Sequence, residues 1–412
     1  MKVLMVSPFT PLYNTGGAEV AASRLADELS RAGDDVTDVW RVSALPDGIG
    51  ASSPVSALAD GSFAISGGYS DTLRFISRRS PWAVSQLAEW LGALAPDVVH
   101  LHHFLGVGSD MIPTVRRALP GSRIVYTAHE FLLMCANDGK LVRRSGRLCE
   151  GPSNIECASC VASAPVDLFL RDDYLKNIAS LVDDVISPSD FLAGRLRTWL
   201  HSHRVHVIPN CPPVDAGPFQ PRELRGESGR NRVGFFGQII PSKGLHILLD
   251  AAAAVSSRGG SAMEVLVFGT RPDPQYWTEE IAPRLARLAE GPVRASYLGE
   301  YAPDRATETM STVDWVAVPS LWWENAPTVM VEAAAAGRPM LVGDIGGMRE
   351  YLSILGSGVA VPRGSVAHWA EVLERVTAPR ATAEWTALHE RARLPWTPWE
   401  ITQRHLRVYR GL

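Results

Sequence analysis

The segment PSLWWENAPTVMVEAAAAGRP, residues 319–339, decides the fold of the chain around it. The apolar run Trp315–Pro319 enters it and predicts a buried strand. A polar loop with Glu324 follows, and Pro327 marks the opening of an alanine-rich helix, because proline is tolerated in the first helical turn. A second apolar run, Met340–Gly343, predicts the next strand. Strand, helix and strand in this order predict a βαβ unit of a parallel sheet.

Two carboxylates flank the predicted start of this helix. The first backbone N–H groups of a helix have no partner within it, so they can bind an anion such as phosphate. Glu324 is predicted to lie in the loop before the helix and Glu332 about one turn inside it. Both can therefore face one ligand at different depths. The alternative is a surface helix that carries two exposed carboxylates.

Short continuous apolar runs alternate with helical patterns on both sides of this segment. Continuous rather than alternating runs predict parallel strands that are covered on both faces. In the second half, strands are predicted at Val233–Phe236, Glu264–Phe268 and Val293–Leu298, with helices at Leu245–Ser256 and Thr328–Ala336. In the first half, strands are predicted at Lys2–Ser7, Val36–Trp40, Val98–His102, Arg123–Thr127, Val185–Ser187 and Val205–Ile208, with a helix at Gly17–Ala32.

These patterns predict an α/β fold of two doubly wound, Rossmann-like domains that face a central cleft. Residues 211–231 are rich in proline, glycine and charge, which is typical of an interdomain linker. We expect an N-terminal domain at 1–212 and a C-terminal domain at 213–393. The amphipathic segment 394–412 is expected to form a helix that returns to the N-terminal domain.

Composition and charge exclude several classes of partner. The chain has 412 residues, a net charge of −4 and no long basic tract, which argues against a nucleic-acid partner. No run of 18 apolar residues predicts a transmembrane helix. The apolar stretch at Val3–Val6 is too short for a signal peptide. We therefore expect a cytoplasmic protein with at most peripheral contact at the inner face of a membrane.

Four of the five cysteines are close together in the sequence. In a cytoplasmic protein a disulfide framework is disfavoured, and C-x13-C-x7-C-x2-C resembles a structural zinc knuckle with one CxxC arm. The predicted zinc ligands are Cys135, Cys149, Cys157 and Cys160, which would pin an irregular loop over 135–160. Because a second CxxC arm is missing, free thiols or a disulfide remain the alternatives.

Six further motifs accompany the paired glutamates, and their order resembles that of a known family. They are GGAE at Gly16–Glu19, TAHE at Thr127–Glu130, SPS at Ser187–Ser189, IPN at Ile208–Asn210, GQIIPSKG at Gly237–Gly244 and GGMRE at Gly346–Glu350. With E-x7-E and the GxP turn after it, they resemble the retaining glycosyltransferases of family 4, which have the GT-B fold. The resemblance extends over the whole chain.

The resemblance implies a role for each matching side chain. Lys243 would hold the diphosphate of a nucleotide-sugar donor, and Glu332 would bind the ribose hydroxyls. Glu324 would contact the transferred sugar. His129 would lie near the transferred sugar and the acceptor. Lys243, Glu324 and His129 are thus the expected catalytic residues.

Further donor contacts are implied by the same motifs. The segment Asn325, Ala326, Pro327, Thr328 and Val329 would supply backbone groups to phosphate and sugar oxygens. Gly16 and Gly17 would let the backbone approach the donor or acceptor closely. Family members often carry arginine where this chain has Gln238, so the diphosphate site is expected to have one cation fewer.

The chemistry of sugar transfer agrees with these roles. Breaking the bond between the anomeric carbon and phosphate builds negative charge on the departing diphosphate, and preorganised donors stabilise it. Lys243 and the helix start would supply that charge without a metal or other cofactor. The resemblance further implies hexosyl transfer with retention, from a UDP donor rather than a GDP donor, to a hydroxyl of a glycan, glycolipid or small molecule. The alternative is a non-catalytic scaffold that binds nucleotide sugars.

Overall fold

The chain folds into two compact units in a computed structural model that describes residues 1–9, 16–45, 53–201, 204–213, 220 and 230–412. The N-terminal unit comprises Met1–Cys211 together with Thr397–Leu412, and the C-terminal unit comprises Pro212–Trp396. Each unit has its own central sheet. Among the described residues, no helix is long and apolar enough to cross a bilayer.

The N-terminal unit is built on an eight-stranded sheet. Its strands pair in the order β10-β9-β8-β7-β1-β2-β4-β3, and only the edge pair β3–β4 is antiparallel. A separate antiparallel pair is formed by β5 and β6. The strands are β1 (Lys2–Phe9), β2 (Asp38–Ala44), β3 (Val55–Ala57), β4 (Phe63–Ile65), β5 (Tyr69–Asp71), β6 (Ile76–Ser77), β7 (Val98–Leu101), β8 (Arg123–Thr127), β9 (Asp184–Ser187) and β10 (Val205–Val207).

Helices precede or follow most of the parallel strands of this unit, because parallel neighbours need a long crossover connection. Central strands such as β7 and β9 are buried along their whole length, which explains their continuous apolar sequences. The helices are α1 (Gly17–Ser30), α2 (Pro81–Leu94), α3 (Met111–Ala118), α4 (Asn154–Val161), α5 (Pro165–Ser180) and α6 (Asp190–Leu200).

The C-terminal unit has a six-stranded sheet in which every pair is parallel. The strand order is β13-β12-β11-β14-β15-β16, so the order reverses between β11 and β14. The strands are β11 (Arg232–Phe236), β12 (Met263–Phe268), β13 (Val293–Gly299), β14 (Trp315–Val318), β15 (Met340–Gly343) and β16 (Gly358–Val361). This is the doubly wound, Rossmann-like arrangement, in which ligands bind at the point of reversal.

Helices cover both faces of this second sheet. They are α7 (Leu245–Ser257), α8 (Pro274–Tyr276), α9 (Ala282–Arg287), α10 (Ala306–Met310), α11 (Thr328–Ala335), α12 (Gly346–Leu355), α13 (Val366–Thr377) and α14 (Thr382–Arg391). Trp315, Trp369 and Trp385 are almost fully buried in its core. The last helix, α15 (Pro398–Tyr409), belongs to the N-terminal unit. The predicted α/β class with two Rossmann-like domains, the components of the GT-B fold, is confirmed.

Candidate functional site

The point of reversal in the C-terminal sheet holds the two side chains that the sequence singled out. Strand β11 is followed by the loop that carries Lys243, and its neighbour β14 is followed by the loop that carries Glu324. Because parallel strands end at the same edge of a sheet, the two loops lie side by side. Lys243 and Glu324, which lie in different motifs, are therefore close to each other in the folded chain.

Lys243 and Glu324 form an ion pair. Lys243 Nζ lies 2.5 Å from Glu324 Oε1, and the same oxygen accepts hydrogen bonds from Ser320 Oγ at 2.9 Å and Trp322 Nε1 at 2.7 Å. The ammonium also lies 5.5 Å from the centre of the Trp322 ring. Three donors on one oxygen fix the carboxylate, while the lysine side chain keeps 27% of its surface exposed. The lysine charge is thus held in place and open to an anionic ligand.

Close backbone contact joins the two loops. Leu321 N donates to Ser242 O at 2.8 Å. Gly244 has φ +73°, and a Cβ there would lie 2.1 Å from Pro319 O. Only glycine adopts this conformation readily and leaves room for the neighbouring carbonyl. The glycine after Lys243 therefore sets the distance between the loops.

A second glycine contact fixes the loop that carries Glu324. Gly347 N, near the start of α12, donates to Glu324 O at 2.8 Å. A Cβ at Gly347 would lie 1.8 Å from Asn325 O. The backbone of the GGMRE motif thus packs closely against the backbone at Glu324 and Asn325 and holds that loop in place.

The remaining predicted donor residues lie in or next to these loops. Gln238 follows β11 and is half-buried, and Glu332 on α11 is 5% exposed. Helix α11 begins at Thr328, as the proline predicted. The segment that precedes and opens this helix contains Asn325, Ala326, Pro327, Thr328 and Val329. The structure therefore brings all the predicted donor residues of the C-terminal unit to one edge of its sheet.

In the N-terminal unit, His129 belongs to a group of buried aromatic side chains. It follows β8, and His102 follows the adjacent strand β7. His102 Nδ1 lies 3.0 Å from His129 Nε2, so one of the two nitrogens donates to the other. His102 also packs against His100, whose Nδ1 lies 2.7 Å from the hydroxyl of Tyr409 on α15. A continuous contact path thus runs from the last helix to His129.

Burial keeps these imidazoles uncharged. It lowers the pKa of His129 to about 3 and that of His405 to about 4, and it holds the pKa values of His100 and His102 well below the ordinary value. His129 is therefore neutral at physiological pH and can take part in hydrogen bonds but carries no charge. Oε1 of the next residue, Glu130, lies 2.8 Å from His103 Nε2.

The GGAE motif lies at the start of α1. Gly16 is the residue before the helix and Gly17 its first residue. A Cβ at Gly16 would lie 2.4 Å from Glu19 Oε2, so the helix start approaches its own buried carboxylate closely. The predicted site residues thus form two groups, one in each unit.

Three residues that contact the side chains of these two groups were not predicted from the sequence. Ser320 and Trp322 lie inside the signature segment, but their donation to Glu324 depends on the path of the loop. Tyr409 is separated from His100 by 309 positions, and no local pattern predicts that contact. The interleaved aromatic residues of the last helix were the available signal for its packing.

The four clustered cysteines line one cavity of about 20 Å³ in the N-terminal unit, and all are thiols. The expectation of an irregular loop over 135–160 is wrong in its last part, because helix α4 begins at Asn154 and carries Cys157 and Cys160. Ser153 Oγ caps this helix by accepting from Glu156 N. Among the described residues, no three His, Cys, Asp or Glu side chains are grouped closely enough to hold a metal ion as they stand. Zinc binding stays a prediction.

Two family models match the chain one after the other. Residues 15–215 match Glycosyltransferase Family 4, and residues 230–378 match Glycosyl transferases group 1, so the matches together span most of the chain. The chain belongs to glycosyltransferase family 4. The resemblance predicted from the sequence is therefore confirmed.

Curated relatives of this family 4 chain include D-inositol 3-phosphate glycosyltransferases. The enzyme of Rhodococcus erythropolis is 34% identical over 193 residues, which are 45% of this chain and 43% of the relative. That of Rhodococcus opacus is 31% identical over 300 residues, 69% of this chain and 60% of the relative. The chain thus spans less than two thirds of the length of each of these two relatives.

Solved structures show the same fold at low sequence identity. Sucrose-phosphate synthase from Thermosynechococcus elongatus has a TM-score of 0.70 at 18% identity, over 100% of this chain and 98% of that one. Anabaena HepE in complex with UDP has a TM-score of 0.66 at 18% identity, over 100% of both chains. The catalytic domain of Arabidopsis thaliana starch synthase IV, bound to ADP and acarbose, has a TM-score of 0.67 at 16% identity, over 100% and 98%.

Proposed function

We propose that this chain is a retaining glycosyltransferase that transfers a hexosyl group from a nucleotide-diphosphate sugar to a hydroxyl acceptor. The observation that carries the proposal is the ion pair of Lys243 and Glu324 at the point where the strand order of the C-terminal sheet reverses. Membership of family 4 supports the reaction class. The relatives named as glycosyltransferases support it as well.

The donor is assigned to the C-terminal unit. The diphosphate is assigned to Lys243, whose ammonium is partly exposed, together with the N–H groups at the start of α11. Glu332 on the same helix is assigned to the ribose hydroxyls. UDP is proposed rather than GDP, and the complex of Anabaena HepE with UDP supports this choice.

Catalysis is proposed to rest on electrostatic stabilisation. As the glycosidic bond to phosphate breaks, Lys243 and the helix start stabilise the charge that develops on the diphosphate. The departing phosphate then accepts the proton of the acceptor hydroxyl, which attacks from the same face. Glu324, fixed by three donors, positions the transferred sugar. No divalent metal has a role in this scheme.

The acceptor is assigned to the N-terminal unit. His129 is neutral there, so it would hold a sugar hydroxyl through a hydrogen bond and would not act as a cation. Gly16 and Gly17 would allow the backbone to approach the substrate. We propose an acceptor of the glycan, glycolipid or small-molecule class, and a reaction that takes place in the cytoplasm.

Binding and turnover test the proposal in turn. Thermal unfolding with UDP, GDP, ADP and their sugars should show stabilisation by UDP and a UDP-sugar, because a ligand at 100 times its Kd adds about 2.7 kcal/mol. NMR of the product or of slowly hydrolysed donor should then show a retained anomeric configuration, with or without Mg²⁺ and Mn²⁺. Lack of binding by every nucleotide would refute the donor site. Binding without transfer or donor hydrolysis would favour the non-catalytic scaffold.

A further inference from the structure

Four cysteines that are dispersed over 26 positions of the N-terminal unit come together around one small space. Cys135 follows a turn after β8, and Cys149 follows a short hairpin whose bridge pairs Val142 with Leu148. Cys157 and Cys160 lie one helical turn apart on α4, so they share a face of that helix. All four line the cavity of about 20 Å³. We propose that this cavity is a structural zinc site with four thiolate ligands.

The backbone around the cavity already donates to two of the sulfur atoms. Leu141 N donates to Cys135 Sγ at 3.4 Å, and Ser153 N donates to Cys157 Sγ at 3.4 Å. Hydrogen bonds of this kind fix the orientation of a metal-binding thiolate and tune its basicity. The turn after Cys135 and the start of α4 therefore present sulfur atoms toward the same space from two directions.

The surrounding charges suit an anionic centre. A zinc ion with four thiolates carries a net charge of −2, so cations nearby would stabilise it. Arg171 is 2% exposed and donates hydrogen bonds to backbone carbonyls, among them Leu133 O at 3.3 Å and Cys135 O at 3.5 Å. Arg144 Nε donates to Cys160 O at 2.6 Å on another side.

The size of the cavity and the four sulfur ligands favour zinc over other metal centres. Four sulfur ligands in tetrahedral geometry are typical of zinc or of iron–sulfur centres, and a cavity of about 20 Å³ suits a single ion rather than a cluster. Coordination requires the sulfur atoms to draw closer than they stand. Cys149, Cys157 and Cys160 are only half-buried, so rotation about one bond can turn each sulfur inward.

The role of the ion would be to hold the segment between β8 and α5 in shape. Residues 131–135 of this segment are buried, but no residue between Leu141 and Ala158 is. A zinc ion that joins its beginning, its hairpin and its helix replaces the packing that the segment lacks. This site does not depend on the proposed sugar transfer, and its test is independent of activity.

Metal analysis of the full chain tests the site. Protein purified without chelators should contain about one zinc per chain by inductively coupled plasma mass spectrometry. Cobalt substitution should give the ligand-field and sulfur charge-transfer absorption of a tetrahedral thiolate site. Cys149→Ser and Cys160→Ser should each lose most of the zinc, whereas Cys211→Ser, which removes a buried cysteine outside the cavity, should retain it.

Two results would overturn the zinc site. One is wild-type protein with no bound zinc after exposure to zinc and removal of the excess. The other is mass spectrometry of the intact chain that shows disulfides among the four cysteines in freshly purified protein. Iron in place of zinc would likewise refute the assignment. The zinc content of the wild-type protein tests the site even if a serine variant does not fold.

Discussion

Lys243 Nζ lies 2.5 Å from Glu324 Oε1, so the lysine of one family motif is the ion-pair partner of the glutamate of another. The two residues are separated by 81 positions, and they meet because β11 and β14 are neighbours in the sheet. The pair gives the carboxylate a fixed position and leaves the ammonium partly open. Glu324 is thus paired with a cation supplied by the loop after β11.

Removing the cation should impair transfer more than folding. Lys243→Ala removes the cation that is proposed to bind the diphosphate. We expect kcat to fall roughly 10²–10³-fold, as it does when other preorganised hydrogen-bond donors are removed. Release of nucleoside diphosphate from the donor found by thermal shift measures this. Arg375→Ala, which removes an exposed cation of the same unit, should have no effect. Undiminished turnover in Lys243→Ala would rule out its catalytic role.

Neutralising the carboxylate tests the other half of the pair. Glu324→Gln keeps the shape and one acceptor oxygen for Ser320 and Trp322 but removes the charge that balances Lys243. We expect transfer to fall by roughly 10²-fold or more while UDP still stabilises the protein. Comparison of kcat with the UDP-induced shift in Tm separates the two effects. Equal loss of binding and transfer would show instead that Glu324 holds the donor as a whole.

The glycine behind Glu324 should be intolerant of a side chain. Gly347→Ala would place Cβ 1.8 Å from Asn325 O, so the loop must shift, and we expect a loss of about 1–3 kcal/mol in the free energy of unfolding. Transfer should fall as well, because the shift displaces Glu324. Gly194→Ala in α6 meets no atom within 4 Å and should leave stability unchanged or higher. Denaturation in urea measures both variants.

Acid should destabilise the N-terminal unit through its buried histidines. Their folded-state pKa values are lowered, with His405 at about 4, so below about pH 6.5 the unfolded chain binds protons that the folded chain does not. Stability is therefore complete above that pH and falls as the pH approaches 4. His405→Gln should flatten the dependence by up to about 1.4 kcal/mol per pH unit. Urea unfolding of His405→Gln and of the wild-type protein over a series of pH values measures the difference, and identical slopes would contradict the assignment.

The hydroxyl of Tyr409 should contribute measurably to stability. Tyr409→Phe removes the group that lies 2.7 Å from His100 Nδ1, and an unsatisfied buried nitrogen costs about 1–3 kcal/mol. Urea unfolding of the full chain measures the loss. Trp399→Ala changes a side chain on the same helix that is 67% exposed, and it should alter stability by less than about 0.5 kcal/mol. Equal effects of the two substitutions would contradict a specific role for the hydroxyl.

The sequence predicted the central strands well because their signal is local. Strands β8 and β15 have the predicted bounds, since each is a continuous apolar run that a parallel sheet buries on both faces. Strand β16 was missed because four residues with one glycine give little signal. Helix α4 lies in the segment that was expected to be an irregular loop. Its eight residues give little periodic signal, although Ser153 and Glu156 form a recognisable start signal.

Contacts within the candidate sites were predictable only where motifs end adjacent strands. The proximity of Lys243 and Glu324 follows from the strand order, in which β11 and β14 are neighbours. The contact of His102 with His129 follows from the pairing of β7 with β8. The three donors on Glu324 could not be inferred in this way, because they depend on the conformation of a loop rather than on periodicity.

The assignment of residues 397–412 to the N-terminal unit has a consequence for the order of events during synthesis. The ribosome completes the whole C-terminal unit before it makes α15, so the hydrogen bond between His100 and Tyr409 can form only after the 309 residues that follow His100 have been translated. The C-terminal unit is one continuous stretch, Pro212–Trp396, and can fold as soon as it leaves the exit tunnel. The N-terminal unit therefore begins to be translated before the C-terminal unit and is completed after it.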